Sequence, residues 1–207
     1  MGSSAADSKP WNAQGEAKRQ SVRRMFSDIA GTYDLANSVM SMRSHHRWRA
    51  QAVAWIGVRP DDCALDVCCG TGDFLLPLRN AIGSKGRLVG LDFCPPMLAK
   101  AAEKPEHEAD LMVGDACCLP FGSGVFDAVT VGWGIRNVPD IDAAHREIAR
   151  VLKPGGRFVS IDMARPRSAL IGKIAEIVFK QFVPLLGRFL GKPDAYRYLP
   201  ESTERFM

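Results

Sequence analysis

The stretch Leu65-Asp66-Val67-Cys68-Cys69-Gly70-Thr71-Gly72-Asp73 is a short apolar run that ends in two glycines separated by one residue, with an acid on either side. An apolar run bounded by a glycine turn reads as a buried strand. Glycine at positions 70 and 72 allows backbone torsions and a close ligand approach that a Cβ would obstruct. Asp73 stands where it would cap a helix starting at Phe74. Strand, glycine turn and helix in that order open a nucleotide-binding α/β unit; the plainer alternative is an ordinary tight strand-to-helix connection. A second run, Arg87-Leu88-Val89-Gly90-Leu91, ends in Asp92, twenty residues after Gly72. That is about where a nucleotide fold presents a carboxylate to ribose hydroxyls.

The periodicity alternates as a doubly wound fold requires. Apolar runs predict strands over residues 64–68, 88–91, 110–113, 126–131 and 157–161, separated by helical patterns over 74–82, 95–103 and 141–152. The sheet is therefore expected to be mostly parallel. Lys153-Pro154-Gly155-Gly156 is expected to stop the last of these helices and to turn the chain into strand five. Ligands of such sheets lie beyond the carboxyl ends of the strands, where Gly70 to Gly72, Asp92, Asp115 and residues 132–137 all fall. At 207 residues and 46% hydrophobic, the chain has material for one core. The expected organisation is a mobile polar tail over 1–20 and a single domain over 21–207. Within it, 21–60 forms a helical lid, 61–163 the core, and 164–207 a helical segment facing substrate or membrane.

Position 75, three after Gly72, is Leu where the dinucleotide fingerprint has its third glycine, and no Lys-Ser or Lys-Thr follows the turn as a phosphate-binding loop needs. NAD and ATP lose ground accordingly. The order Asp-x-x-x-Gly-x-Gly from Asp66, an acid at the end of strand two, then Gly114-Asp115-Ala116 after strand three resembles the S-adenosylmethionine-dependent methyltransferases of the Rossmann-like class. The resemblance implies S-adenosylmethionine as cofactor, held by Asp66, Gly70, Thr71, Gly72, Asp92, Asp115, Ala116 and Gly132.

Further segments narrow the likeness. Gly134-Ile135-Arg136-Asn137-Val138-Pro139 is joined by Phe26-x-x-Ile29-Ala30-x-x-Tyr33-Asp34-x-x-Asn37, His45-x-Arg47-Trp48 and Ala195-Tyr196-Arg197-Tyr198-Leu199-Pro200-Glu201-Ser202. Together they resemble the quinone C-methyltransferases of menaquinone and ubiquinone biosynthesis, over residues 22–207. The resemblance implies C-methylation of a prenylated quinol ring. Other readings are methylation of another small lipophilic aromatic acceptor, or a non-catalytic partner that keeps cofactor binding. Two departures stand out. Gly132 occupies a position where some relatives place a serine that touches the cofactor. Relatives also continue past the Tyr-Leu-Pro-Glu-Ser segment with a helix and an antiparallel strand pair, so this chain is expected to be a fragment lacking that pair.

Methylation of a ring carbon requires an aligned, electron-rich carbon and a dry site. Arg136 suits a phenolate partner, because a guanidinium stays charged and has no acceptor, and Asn137 suits a hydrogen bond to a ring oxygen. Structural alternatives are an ion pair from Arg136 to an acid such as Asp140, and a loop-bending role for Asn137 before Pro139. The resemblance assigns both to catalysis, and Tyr33 and Tyr196 to the substrate. Tyr33 otherwise reads as a packing aromatic.

The net charge of +4 gathers in Lys18, Arg19, Arg23 and Arg24 and in Arg43, Arg47 and Arg49. Such clusters read as solvated faces before they read as anion sites, and nothing in them demands nucleic acid. Six cysteines, Cys63, Cys68, Cys69, Cys94, Cys117 and Cys118, lack Cys-x-x-Cys spacing, and His45 and His46 form no metal spacing with any acid or cysteine, so no metal is expected. With no apolar run long enough to span a bilayer, the chain reads as cytoplasmic. The segment 169–190, apolar with Lys173, Lys180 and Arg188 and broken by Pro184, would rest on the inner membrane surface, cover the substrate or form a homodimer contact.

Overall fold

The computed structural model describes residues 15–163 together with 181–183, 185, 187–189 and 191. Three helices lead: α1 (Gly15–Ile29), α2 (Tyr33–Met40) and α3 (Ser44–Ile56). Strands and helices then alternate through β1 (Cys63–Val67), α4 (Leu75–Ile82), β2 (Arg87–Asp92), α5 (Pro95–Ala102), β3 (Asp110–Val113), β4 (Phe126–Gly132), α6 (Ile141–Val151) and β5 (Leu152–Ile161). The five strands pair in the order β3-β2-β1-β4-β5, every pair parallel. This is the Rossmann-like doubly wound sheet that the alternation predicts. Its order reverses between β1 and β4, and the crevice of such a sheet lies above that point.

Alternate residues of a strand face opposite layers, so each strand of the centre feeds two cores. Leu65, Val67, Val129 and Val131 pack with Leu91, Ile148 and Val151 on the α6 side. Ala64 and Ala128 pack with Val53, Ile56, Phe74, Leu78 and Ile82 on the α3 and α4 side. Full burial of side chains of this size stabilises the fold by roughly 1.5–3 kcal/mol each. The Asp140 carboxylate accepts from the Ala143 backbone N–H at 2.8 Å and starts α6.

Three expectations need correction. Helix α1 begins at Gly15, inside the stretch read as a mobile tail. Val22 is buried, and Lys18 is tied down through its Nζ, which donates to the Val138 carbonyl at 2.8 Å. Strand five begins at Leu152 rather than 157: Leu152 pairs with Phe126 and Arg157 with Ala128, so Lys153 to Gly156 bulge out between two pairs, with Gly155 at φ +80. Asp73 does not cap α4, whose first turn carries no side-chain cap. Its carboxylate is drawn instead toward Lys104 and Arg49.

The leading helices pack onto the core through α1 and α2. Val22, Met25, Ile29 and Ala36 form one cluster with Val183, flanked by Phe26, Tyr33 and Phe93. Ala30 meets Cys94 and Met97 at the start of α5.

Candidate functional site

A crevice opens above the carboxyl ends of the strands. Gly70, Asp92, Asp115 and Ala116 line one half, and Gly132, Trp133, Asn137 and Tyr33 the other. On the β1-β2-β3 side, polar groups are held by backbone. Asp92 accepts from the Gly70 N–H at 2.8 Å and the Cys94 N–H at 2.9 Å. Burial pushes its carboxyl up to about 6, against the pull of the Cys94, Gly70 and Phe93 N–H groups. Asp115 accepts from the Cys117 N–H at 3.0 Å and pairs with Arg19 of α1 at 2.7 Å.

Asp66, Thr71 and Gly72 stand behind this wall. The Thr130 hydroxyl donates to Asp66 at 2.6 Å, tying β1 to β4, and burial pushes the Asp66 carboxyl up to about 7. The Thr71 hydroxyl donates to Asp34 of α2 at 2.5 Å. A Cβ on Gly72 would lie 3.1 Å from Leu75 and 3.2 Å from Ala101, so this glycine lets α4 and α5 close around the turn.

The β4-β5 side is built differently. Gly132 lines the crevice, and a Cβ there would lie 2.8 Å from the Phe74 ring, which occupies the place a serine would need. Arg136 is buried in an ion pair with Asp162, which follows β5, rather than with Asp140. Asn137 lines the crevice and its side-chain amide donates to the Trp133 carbonyl at 3.2 Å. Tyr33 stands over them, edge-on to Phe26 at 6.1 Å, and burial raises its phenol while a hydrogen bond with Asn37 pulls it down. Tyr196 lies outside the described residues.

The residue that sequence reasoning missed is Arg49. Read there as part of a solvated basic face, it is buried on α3. Its Nη1 lies 2.6 Å from His45 Nδ1 and its Nη2 3.3 Å from Asp73. Its guanidinium sits 4.7 Å from the Trp133 ring centroid and 5.7 Å from that of Phe74. A basic residue next to Trp48 and four after His45 was the available signal, but spacing on one helix does not reveal an acid 24 positions away. The same fold gathers ligand atoms of His45, His46 and Asp73 within 4.8 Å of one another, correcting the expectation that these histidines meet no acid. The Arg49 guanidinium already occupies that cluster, which disfavours a metal cation beside it. Burial, then Arg49, pull His45 down to about 4, so it is neutral at pH 7.

The described cysteines carry free thiols, and burial raises those of Cys68 and Cys69 well above the usual range. Among the described residues no helix is long and apolar enough to cross a membrane. Of the apolar segment over 169–190, Val183 is buried against α1 and α2, while Phe182, Leu185 and Phe189 are exposed.

Known proteins are similar to this chain in sequence and fold. The demethylmenaquinone methyltransferase of Staphylococcus saprophyticus is 39% identical over 197 residues, covering 94% of this chain and 84% of that one. That of Bacillus cytotoxicus is 39% identical over 196 residues, covering 92% and 83%. Among solved structures, a chain of the Haloferax volcanii complex between the Trm112 methyltransferase activator and a methyltransferase superposes with a TM-score of 0.56 at 32% identity, over 65% of this chain and 58% of that one. A Thermotoga maritima S-adenosylmethionine-dependent methyltransferase, at a TM-score of 0.57 and 23% identity over 76% and 69%, shares the fold. The family model of the ubiE/COQ5 methyltransferases matches residues 14–207, leading helices and crevice included. With its parallel sheet, its glycine turn and the acids at the ends of β2 and β3, this chain belongs to the ubiE/COQ5 methyltransferase family and is an S-adenosylmethionine-dependent enzyme.

Proposed function

We propose that the protein methylates a ring carbon of a prenylated naphthoquinol, converting a demethylmenaquinol to the menaquinol; this is the acceptor class named in its staphylococcal and bacillar relatives. The carrying observation is the division of one crevice into a carboxylate-bearing half and an aromatic half with an amide at its edge.

The first half fits an adenosyl donor. Asp92 has both oxygens oriented by backbone N–H groups, leaving its other lone pairs for two ribose hydroxyls. Gly70 leaves room for the donor's close approach, Asp115 and Ala116 would flank the adenine, and Gly132, on the other half, would border the methionine end where the two halves meet. Asp66, Thr71 and Gly72 support that wall from behind. Bound there, S-adenosylmethionine supplies an electrophilic methyl on a sulfonium whose sulfur keeps the bonding pair.

The chain's own residues prepare the acceptor. A quinol carbon becomes nucleophilic when a neighbouring hydroxyl gives its proton to water; Asn137 would fix that ring oxygen, with the Arg136 charge behind it. The ring electron pair forms the new C–C bond, and the carbon then releases its proton to solvent, restoring aromaticity. Tyr33, Phe26 and Trp133 exclude water from the ring and orient it. The acceptor's apolar tail would leave past Phe182, Leu185 and Phe189, exposed on the segment whose Val183 packs against α1 and α2, toward a bilayer surface.

The test is anaerobic incubation of the full chain with S-adenosylmethionine and a short-tailed demethylmenaquinol, followed by mass spectrometry and NMR of the product. A ring-methylated naphthoquinol is expected. An O-methylated product, or faster methylation of an unrelated lipophilic phenol, would replace this acceptor with another aromatic class.

A further inference from the structure

The three leading helices differ in how they are attached. Helix α3 sinks Ala52, Val53 and Ile56 into the core beside Phe74 and Leu78. Helices α1 and α2 instead bury Val22, Met25, Ile29 and Ala36 in a cluster with Val183, and meet the start of α5 through Ala30, Cys94 and Met97. They join α3 at Met42 and Arg43, two L-residues held at φ +48 and +61, a region that such residues rarely adopt. Polar ties complete the attachment, and they gather at the crevice. At the start of α1, Lys18 Nζ donates to the Val138 carbonyl at 2.8 Å on one half, and Arg19 pairs with Asp115 at 2.7 Å on the other. At the start of α2, one Asp34 oxygen accepts from the Thr71 hydroxyl at 2.5 Å and the other lies 2.7 Å from Lys104 Nζ. Lys104 in turn donates to Asp73 at 3.1 Å.

We propose that α1 and α2 are a strap over the donor end of the crevice, closed by a clasp of Asp34 on Thr71 and Lys104, and that opening of this clasp sets the rate at which S-adenosylmethionine enters and S-adenosylhomocysteine leaves. Arg19 and Phe26 of α1 and Tyr33 of α2 line the same crevice as Gly70 and Asp92, so a ligand lying on those two has the strap over it. The clasp closes on the glycine turn itself. Thr71 follows Gly70, whose N–H donates to Asp92, and Asp73 stands at the end of the turn. Both Asp34 oxygens are engaged, so the closed position is fixed by direction as well as by charge. With 44% of the Asp34 side chain and 30% of the Lys104 side chain exposed, water and salt reach the pair, and such a pair is weak enough to open at each binding event. Neither Asp34 nor Lys104 lines the crevice, so both act on the ligand through the strap, as positioning residues.

This inference rests on placing the adenosyl ligand against Asp92, and Asp92→Ala is the control for that placement. Stopped-flow tryptophan fluorescence of the full chain gives the association and dissociation rates of S-adenosylhomocysteine, and calorimetry gives its affinity. Asp34→Asn and Lys104→Met should each raise association and dissociation together by roughly threefold to tenfold, the range for a partly exposed ion pair with its hydrogen bond, while the dissociation constant changes less than about twofold. The two effects should not add in the double variant, since both break one contact. Lys104→Arg should restore most of the wild-type rates. Wild-type release should quicken between about 0.01 M and about 1 M salt, as the screening length falls from about 30 Å to about 3 Å, and the double variant should respond less. The wild-type salt series stands even where a variant does not fold, and a release rate indifferent to salt would overturn the proposal. Unchanged rates in both single variants would also overturn it, as would faster release with unchanged association, the mark of a lost ligand support rather than an opened cover. Clasp variants that bind and release faster while Asp92→Ala keeps full affinity would retain the strap and move the ligand off Asp92.

Discussion

The two halves of the crevice solve the problem of burying charge by different means. On the β1-β2-β3 side, Asp92 and Asp115 are held by backbone N–H groups of the turns that follow the strands, and each has its hydrogen bonds. On the β4-β5 side, Arg49 and Arg136 are held by side-chain carboxylates, and each pair retains an unmatched N–H and an unmatched oxygen. Backbone partners cost no side-chain entropy and come with the strand ends, so the carboxylates of the first half are oriented before any ligand arrives. The second half rests on side-chain ion pairs whose unmatched atoms are buried.

The sharpest way to break this contrast is at the Arg136-Asp162 pair. Arg136→Ala should destabilise the fold by roughly 3–5 kcal/mol, because it strands a buried carboxylate. Replacing both partners by apolar residues of similar size should recover most of that loss in urea unfolding while turnover stays low. Full turnover in the double variant would remove Arg136 from the acceptor half.

On the other side, Asp92→Ala should weaken S-adenosylhomocysteine binding by roughly 1.5–3 kcal/mol, the worth of charge-assisted hydrogen bonds. The Asp92 carboxyl ionises near 6 in the folded protein, so its acceptor capacity falls as pH drops through 6. Wild-type affinity measured by calorimetry should decline from pH 7 to pH 5, and that of Asp92→Asn should stay flat. A flat wild-type profile would place the ribose elsewhere.

Asp66 offers a smaller test, in stability alone. Its folded value of about 7 lies above the value of roughly 4 expected in the unfolded chain. Between those two, the folded state holds a proton that the unfolded state has released, so this group's contribution to stability falls as pH rises from about 4 to 7. Asp66→Asn keeps an acceptor for Thr130 and should gain stability relative to the wild type between pH 4.5 and pH 8; a constant difference across that range would contradict it. Smallest of all should be Arg19→Ala. Its ion pair with Asp115 is half-exposed, and such pairs contribute less than about 1 kcal/mol to stability. A larger loss in urea unfolding would mean that α1 is clasped to the crevice more strongly than this exposure allows.

Much of the β1-β2-β3 side of the crevice was legible because its parts lie within single local patterns. The strand, turn and helix from Leu65 to Ile82 are contiguous, Asp92 closes an apolar run, and Gly114-Asp115-Ala116 follows another. Where reading failed locally, a long-range force had intervened. Asp73 has the position of a helix cap, but Lys104 and Arg49 offer its charge more than the α4 backbone does. Leu152 looked like the end of a helix and became the first residue of β5 because Phe126 pairs with it across the sheet.

Arg49 marks the boundary between these two kinds of information. Periodicity, glycine placement and strand-terminal acids act over a few residues, and they sufficed for a parallel α/β sheet with a nucleotide-type crevice at its switch point. Whether a given basic residue is solvated or buried depends on which acid and which rings the chain brings to it. Here Asp73 and Trp133 reach Arg49 across 24 and 84 positions, and Asp162 reaches Arg136 across 26. Burial of a charge is decided by those distant partners, since without them desolvation would expel it. The β1-β2-β3 side of the crevice was therefore written in short motifs, and the β4-β5 side came into being only when α3, β4 and β5 met.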